Sequence, residues 1–207
     1  MIELMTRAGV IAAAMLLTLT VSQEGKHMDF RKDFEVDLAK YTGVWHEIGR
    51  TPNSFEDNNP RRNGKRLSAC FNSKAEYAAA GEGVISVTNS CLRTAPDGTQ
   101  ITDTARGSAR VIEGSKNRKL LVAFGPGIAR FFQRLLSPGD GNYWIYCLGP
   151  EVEDRYSWAV IGDKRKSYIF LLARERAVPE DQKAEMINCA REAGLPVTKL
   201  IFPQKAE

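Results

Sequence analysis

Short strand-like segments constrain this chain more than any other feature of its sequence. Between residues 44 and 174, eight stretches alternate apolar and polar side chains, and they follow one another with few helical interruptions. This rhythm predicts an antiparallel barrel or sandwich. A barrel is favoured, because eight strands can close on themselves and leave no exposed edge. The predicted strands cover residues 44–51, 67–77, 84–92, 101–112, 119–124, 142–148, 156–161 and 168–174.

Two helical segments interrupt the strands, and one more short strand follows the second of them in the sequence. Residues 179–193 predict a helix packed outside the barrel, with Pro179 in its first turn and Gly194 as its stop, and residues 197–202 predict a short final strand. The connection between the fifth and sixth strands has apolar residues at helical spacing from Ile128 to Leu136. This segment predicts a lid, or a helix in transient contact with an anionic membrane surface. Packing on the barrel rim is the alternative.

The N-terminus has the pattern of an export signal over residues 1–22. Arg7 precedes a 12-residue apolar core that is too short for a comfortable transmembrane helix, and small residues end at Ser22. Residues 23–37 then form a polar leading segment, 38–203 the domain and 204–207 a tail. The prediction is a periplasmic or secreted protein, with an uncleaved anchor as the alternative. A lipoprotein form is not predicted, because no cysteine lies near the cleavage point.

Four cysteines in an exported chain predict disulfides. Cys70 and Cys91 lie almost symmetrically about the turn at residues 78–83, which favours a bridge between two neighbouring strands, and Cys147 and Cys189 remain as a second pair. No metal site or cofactor is predicted, since the chain has two histidines and no Cys-x-x-Cys. The net charge of +4 gives no support for a nucleic-acid partner.

Several segments, in their order and spacing, resemble the lipocalin family, in particular the bacterial outer-membrane lipocalins and apolipoprotein D. The resemblance covers roughly residues 35–203 and begins with Gly43-Val44-Trp45 at the start of the first strand. It implies an eight-stranded up-and-down barrel that binds a small hydrophobic or amphiphilic ligand. The other matching segments are residues 75–77, 85–91, 107–111, 119–124, 142–145 and 169–174.

The resemblance also implies roles for individual residues. Trp45, preceded by Gly43, would close the barrel floor, and Arg174 would stack on its indole ring, a favourable cation–π contact. Tyr77, Asn89 and Phe170 would border the ligand, although the family usually has Tyr or Trp at the position of Phe170. Alternation places Glu47 inside with Trp45. The full predicted lining is Glu47, Tyr77, Ile85, Val87, Asn89, Val122, Phe124, Tyr143, Ile145 and Phe170. The alternative is that these aromatic side chains simply fill the barrel.

Charge is unevenly divided between the two ends of the predicted barrel. The loops at the open end hold ten cationic and five acidic residues, a net charge of +5, whereas the other end has four cationic and five acidic residues, a net charge of −1. A basic mouth predicts a ligand with an anionic head, such as a fatty acid or lysophospholipid. The candidate head-group contacts are Arg61, Arg62, Arg130 and Arg134. Cationic residues that only aid solubility are the alternative.

Other function classes are less well supported by the sequence. No catalytic residue is predicted, because His27 lies in the leading segment and His46 should face outward, and the chain has no Gly-x-Ser-x-Gly. An interior acid such as Glu47 is the candidate for a barrel enzyme. A filled barrel would instead favour a protein–protein interaction module, and Tyr77 or Tyr143 could ligate iron in a haem or pigment carrier. The protein is expected to be a monomer or a weak dimer.

Overall fold

The fold is described by a computed structural model over residues 28–29, 33–125 and 139–204. The strands in this part of the chain include all eight that the sequence predicts, with some bounds shifted. They are β1 (Met28–Asp29), β2 (Gly43–Arg50), β3 (Arg61–Arg62), β4 (Lys65–Arg66), β5 (Phe71–Gly81), β6 (Val84–Thr94), β7 (Gln100–Val111), β8 (Lys119–Phe124), β9 (Tyr143–Leu148), β10 (Glu151–Val152), β11 (Arg155–Tyr156), β12 (Trp158–Gly162) and β13 (Ile169–Ala173).

Eight of these strands close into an antiparallel barrel. The order around the sheet is β9-β12-β13-β2-β5-β6-β7-β8, and pairing between β8 and β9 closes it. The closing contact is short, with only two residue pairs in register. β1 pairs with the C-terminal end of β9, where Met28 lies opposite Leu148. The predicted all-β barrel is therefore confirmed, and the predicted bounds of the fifth strand, 119–124, match those of β8.

The closed end of the barrel is covered by the chain that precedes β2. The Val36 amide donates to the Lys116 carbonyl in the loop between β7 and β8, and the short helix α1 (Leu38–Tyr41) follows. Asp37 caps this helix by accepting from the Ala39 amide at 2.8 Å. Gly43 then turns into β2 with φ of +99°, where a Cβ would lie 3.2 Å from the guanidinium of Arg155. Glycine at this position thus permits both the turn and the close packing.

Helix α2 (Glu180–Glu192) packs outside the barrel, as predicted. It buries Met186, Cys189 and Ala190 in a second core with outward side chains of β9, β12 and β13, among them Trp158 and Leu171. The disulfide between Cys147 and Cys189 ties the helix to β9. In the described residues, no helix is both long enough and apolar enough to span a membrane.

The segment after α2 differs from the prediction of a final strand over residues 197–202. Pro196 leads into a 3-10 helix over Val197–Lys199, in which the Lys199 amide donates to the Pro196 carbonyl. Among the described residues of this segment, Ile201 pairs with the barrel backbone through a single antiparallel bridge to Arg50, and the Gln204 side chain donates to the Glu47 carbonyl. The tight turn uses backbone donors and acceptors that a strand would have offered to β2, so the pairing is reduced to one residue.

Three predictions fall on residues outside those that the structure describes. These are the export signal over residues 1–22, much of the leading segment over 23–37, and the helical segment from Ile128 to Leu136 with its Arg130 and Arg134. They stay predictions from the sequence.

Candidate functional site

The barrel encloses a cavity of about 720 Å³ that opens between the connecting loops. Its wall is mostly apolar and aromatic, with a few polar side chains at separate points. This volume lies within the range of roughly 300–1,000 Å³ that is usual for small-molecule sites. Nine of the ten predicted lining residues border it: Glu47, Tyr77, Ile85, Val87, Asn89, Val122, Phe124, Tyr143 and Phe170.

Ile145, the tenth predicted lining residue, does not border the cavity. Its side chain is fully buried in the barrel core. Its amide donates to the Arg118 carbonyl, in the loop at the closed end, at 2.8 Å. Ile145 therefore lies in the packed layer at the closed end, two residues beyond Tyr143 along β9. The resemblance to the lipocalins predicted that Ile145 faces inward, but it did not predict where along the barrel axis the cavity ends.

Trp45 and Arg174 close the barrel beneath the cavity. The Arg174 Cζ atom lies 3.6 Å from the centroid of the Trp45 ring, which is fully buried. Arg174 also donates to the Val44 carbonyl at 2.9 Å and to the Lys40 carbonyl at 2.8 Å. Burial, with the positive charge of Arg155 nearby, lowers the pKa of Arg174 to about 10. Neither Trp45 nor Arg174 borders the cavity, so their arrangement is that of a structural closure.

Three tyrosines form the floor of the cavity above this closure. The hydroxyl of Tyr143 is 2.6 Å from that of Tyr41 and 3.1 Å from that of Tyr77. The Tyr41 and Tyr77 rings stack with centroids 5.8 Å apart, while Tyr143 meets Tyr77 edge to face. The Trp45 indole donates to the Tyr41 carbonyl at 2.8 Å, which links the floor to the closure below it.

An ionic cluster lies higher in the wall, around the fully buried Arg50. Its guanidinium donates to a Glu47 carboxylate oxygen and to one of Asp57, both at 2.6 Å, and its Nε lies 3.4 Å from Glu56. Burial and the negative charge of Glu56 raise the pKa of Glu47, although Arg50 opposes this. The Arg50 hydrogen bonds lower the pKa of Asp57 against the effect of its burial. Glu47 thus faces the cavity, as predicted, with Arg50 as its partner.

The loop over residues 51–70 folds onto the mouth of the cavity. Arg93, which is 2% exposed, donates to the carbonyls of Phe55, Asn58 and Ser68. A disulfide between Cys70 and Cys91 fixes the end of this loop to β6. The Phe55 ring, 57% exposed, stacks on Phe170 with centroids 6.3 Å apart. The mouth consequently has an aromatic edge held in place by buried polar contacts.

Fewer cationic side chains at the mouth are free to contact a ligand than the count from the sequence suggests. Arg93, counted there as a cation, is buried and paired with Asp103, while Lys65 pairs with Asp97 and Lys164 with Asp140. Arg61 and Arg62 are exposed on the β3–β4 hairpin and do not border the cavity. Ionisable side chains in the cavity wall are mainly acidic: Glu47, Glu56, Asp103 and Asp163 against Lys74 and Arg93.

Sequence reasoning missed several residues of the site. Tyr41 precedes Trp45 by four residues, in a segment assigned to the start of the domain rather than to the lining. Phe55 and Glu56 lie in a loop, where strand alternation gives no orientation. An aromatic residue just before the Gly-x-Trp triplet was the available signal for Tyr41. Nothing comparable marks Phe55 and Glu56 in the sequence.

The polar groups of the site are suited to binding rather than to holding a metal. Among the described residues, Cys70, Cys91 and Asp103 form the one cluster of ligand types, and its two sulfurs are joined in the disulfide. A bridged pair offers no thiolate. The partly buried His46 lies outside the cavity. The arrangement offers an apolar chamber with neutral hydroxyl groups at its floor and carboxyl groups nearer its mouth.

Comparison with known proteins finds lipocalins among the sequences that are similar to this chain. A family model described as "Lipocalin-like domain" matches residues 36–205. "Outer membrane lipoprotein Blc" of Vibrio cholerae is 29% identical over 84% of this chain and 84% of its own length. "Temperature-induced lipocalin-1" of Arabidopsis thaliana is 27% identical over 86% and 82%. Apolipoprotein D of Cavia porcellus is 24% identical over 95% of both. Among solved structures, lobster apocrustacyanin A1 is 13% identical with a TM-score of 0.46, covering 82% of this chain and 79% of its own.

Proposed function

This chain belongs to the lipocalin family, and we propose that it binds and carries a small hydrophobic or amphiphilic molecule in its barrel. The observation that carries the proposal is the cavity of about 720 Å³ with its mainly apolar wall. A buried apolar cavity that opens to solvent favours uptake of an apolar molecule, because its walls gain contacts that water does not supply. Proteins of this family are generally ligand-binding carriers rather than enzymes.

A fatty acid or lysophospholipid is the ligand class that we propose. Its chain would occupy the cavity and its anionic head would lie at the mouth, near the exposed guanidinium groups of Arg61 and Arg62. The head would remain outside the cavity wall, because the ionisable side chains in that wall are mainly acidic, and among the described residues the only cations that border it are Lys74 and the buried Arg93. The exposed Arg165 adds a further cation in the loop between β12 and β13.

Oleate and oleyl alcohol test this proposal, since they differ only in the head group. Displacement of the fluorescent probe N-phenyl-1-naphthylamine gives the affinity of each at low and high salt. We expect both to bind, with oleate favoured at low salt and its advantage reduced at high salt, where screening weakens contacts with surface cations. Failure of both ligands to bind would contradict the carrier function. Equal affinities that do not change with salt would contradict the proposed anionic head group but would leave the carrier function intact.

Export is part of the same proposal. Two disulfides are typical of proteins in oxidising compartments, and one relative is named as an outer membrane lipoprotein. We propose cleavage after Ser22 and a periplasmic or secreted mature protein. The intact mass of protein purified from its source tests this directly.

A further inference from the structure

The three floor tyrosines have one more proton than their mutual hydrogen bonds use. Tyr41 and Tyr77 each lie within hydrogen-bond distance of the Tyr143 hydroxyl, at 2.6 and 3.1 Å. Each phenol carries one proton, and each of the two bonds uses one. Whichever way the bonds run, one O–H remains as a donor. Among the described residues, no other side chain or carbonyl accepts a hydrogen bond from these hydroxyls.

The surroundings keep these phenols neutral and facing the cavity. Burial raises the pKa of Tyr77 to about 12 and holds the pKa values of Tyr41 and Tyr143 well above their usual value. All three therefore remain O–H donors at physiological pH. Tyr143 is only partly buried although it lies inside the barrel, because part of its surface borders the cavity.

A second polar group in the wall also lacks a partner. The Oδ1 atom of Asn89 is buried and accepts no hydrogen bond. Asn89 lies one inward position nearer the mouth than Val87, which pairs with Tyr77 across β5 and β6. Inward positions on one strand are about 7 Å apart. Buried polar atoms in native proteins usually have partners, so the unpaired Asn89 oxygen, which can only accept, is an independent sign that the ligand carries a polar group, and an alcohol O–H is the kind that could donate to it.

We infer that the cavity floor is a binding subsite for an uncharged oxygen atom at the deepest end of the ligand. The spare tyrosine proton is donated to that oxygen, which belongs to an alcohol, ketone or ester. This inference rests on the proposed carrier function and refines it: the preferred ligand is an apolar molecule that carries oxygen at the end entering first. The same ligand can also have an anionic head at the mouth.

Two other roles for the cluster fit the structure less well. Iron coordination would require phenolates, and burial disfavours the charged form of all three tyrosines. A purely structural cluster would need no spare donor, and a wholly apolar ligand that displaced water from the floor would leave this O–H without an acceptor. The floor of a cavity is also the place where a ligand oxygen would be most completely shielded from water.

Dodecanol and dodecane provide a matched pair of probes, because they differ by one hydroxyl group. Competition with N-phenyl-1-naphthylamine gives both affinities for the wild type and for the triple variant Tyr41→Phe/Tyr77→Phe/Tyr143→Phe. We expect the preference of the wild type for dodecanol over dodecane to fall by about threefold to tenfold in the triple variant, as one net hydrogen bond implies. Tyr146→Phe is the control, since Tyr146 lies in the outer core and does not border the cavity, and it should leave the preference unchanged.

Nuclear Overhauser effects in the wild type give a second measurement that does not depend on a variant folding. With 13C-labelled tyrosine rings, the C1 protons of bound dodecanol should contact the Tyr77 and Tyr143 rings. Contacts from the terminal methyl group instead, or an unchanged preference in a folded triple variant, would overturn the inference while leaving the carrier function intact. Failure of the wild type to bind either probe would contradict the carrier function itself.

Discussion

Arg50 holds three carboxyl groups around one guanidinium in the upper wall of the barrel. Glu47, Glu56 and Asp57 all lie within 3.4 Å of it, and Arg50 itself is fully buried. One positive charge cannot compensate three negative charges in a poorly solvated site, so retention of a proton by one carboxyl group is favoured. Glu47 is the most buried of the three, and burial together with Glu56 raises its pKa to about 8.

This raised pKa predicts a pH dependence of stability. The unfolded chain releases the Glu47 proton near pH 4.3, whereas the folded protein keeps it to about pH 8. The contribution of Glu47 to the free energy of unfolding is therefore full below pH 4.3 and is lost as the pH rises through 8. Urea denaturation at several pH values should show the wild type losing stability over this window relative to Glu47→Gln.

Glu76→Gln provides the comparison, because Glu76 is exposed on the outer side of β5. The free energy of unfolding of this control should change with pH in the same way as that of the wild type. A constant difference in unfolding free energy between the wild type and Glu47→Gln from pH 5 to pH 8.5 would contradict a raised Glu47 pKa.

The loop over residues 51–70 is the element that most depends on contacts distant in sequence. Arg93, from β6, supplies the donors for several of its carbonyls and pairs with Asp103 on β7. A buried arginine with this many acceptors orders irregular backbone that forms few sheet hydrogen bonds of its own. The loop in turn places Phe55 and Glu56 at the mouth.

Arg93→Leu should release this loop. Carbonyls that lose their donor become unsatisfied, so we expect a loss of about 2–5 kcal/mol in the free energy of unfolding. Hydrogen exchange should accelerate at the amides of Asp57, Leu67 and Cys70, which bond to carbonyls within the same loop. The exposed Arg66 gives the matched control, since Arg66→Leu removes a charge from the same loop without breaking these bonds. Unchanged exchange in Arg93→Leu would contradict this account of the loop.

At the scale of the whole molecule, the centre of the cavity is distinct from the parts of the protein that stabilise the barrel. The inner core extends around the cavity, while the outer core joins α2 to the barrel wall, and Trp45 with Arg174 closes the base. Because stability rests largely on the two cores and the closure, the centre of the cavity can change without loss of the fold. Ala105, on β7 opposite Asn89, borders the cavity and retains accessible surface.

Ala105→Trp should narrow the chamber and reduce uptake of N-phenyl-1-naphthylamine. The temperature of unfolding should stay close to that of the wild type, since the added ring occupies space that is already open. Ala78→Trp is the matched substitution at an exposed residue outside the cavity, and it should bind the probe normally. Undiminished probe uptake in Ala105→Trp would show that the probe binds elsewhere on the protein.

The sequence by itself determined the parts of the protein that repeat a short-range pattern. Alternation along eight segments predicted the barrel, and together with the resemblance to the lipocalins it predicted ten lining residues, of which nine border the cavity. The pairing of Cys70 with Cys91 followed from their symmetry about one hairpin. These features are local, because neighbouring residues on one strand or hairpin are fixed relative to each other by backbone geometry.

Only the tertiary structure decided the features that depend on position along the barrel axis and on contacts between residues distant in sequence. Ile145 has the predicted orientation but lies in the packed base, because the shear of the barrel sets where the cavity ends. Arg93 looked like a mouth cation and is a buried anchor, since a loop folds over it. The tyrosine floor joins residues 41, 77 and 143, which are up to 102 positions apart. Closure of the barrel brings these hydroxyls together, and no pattern within one segment contains that information.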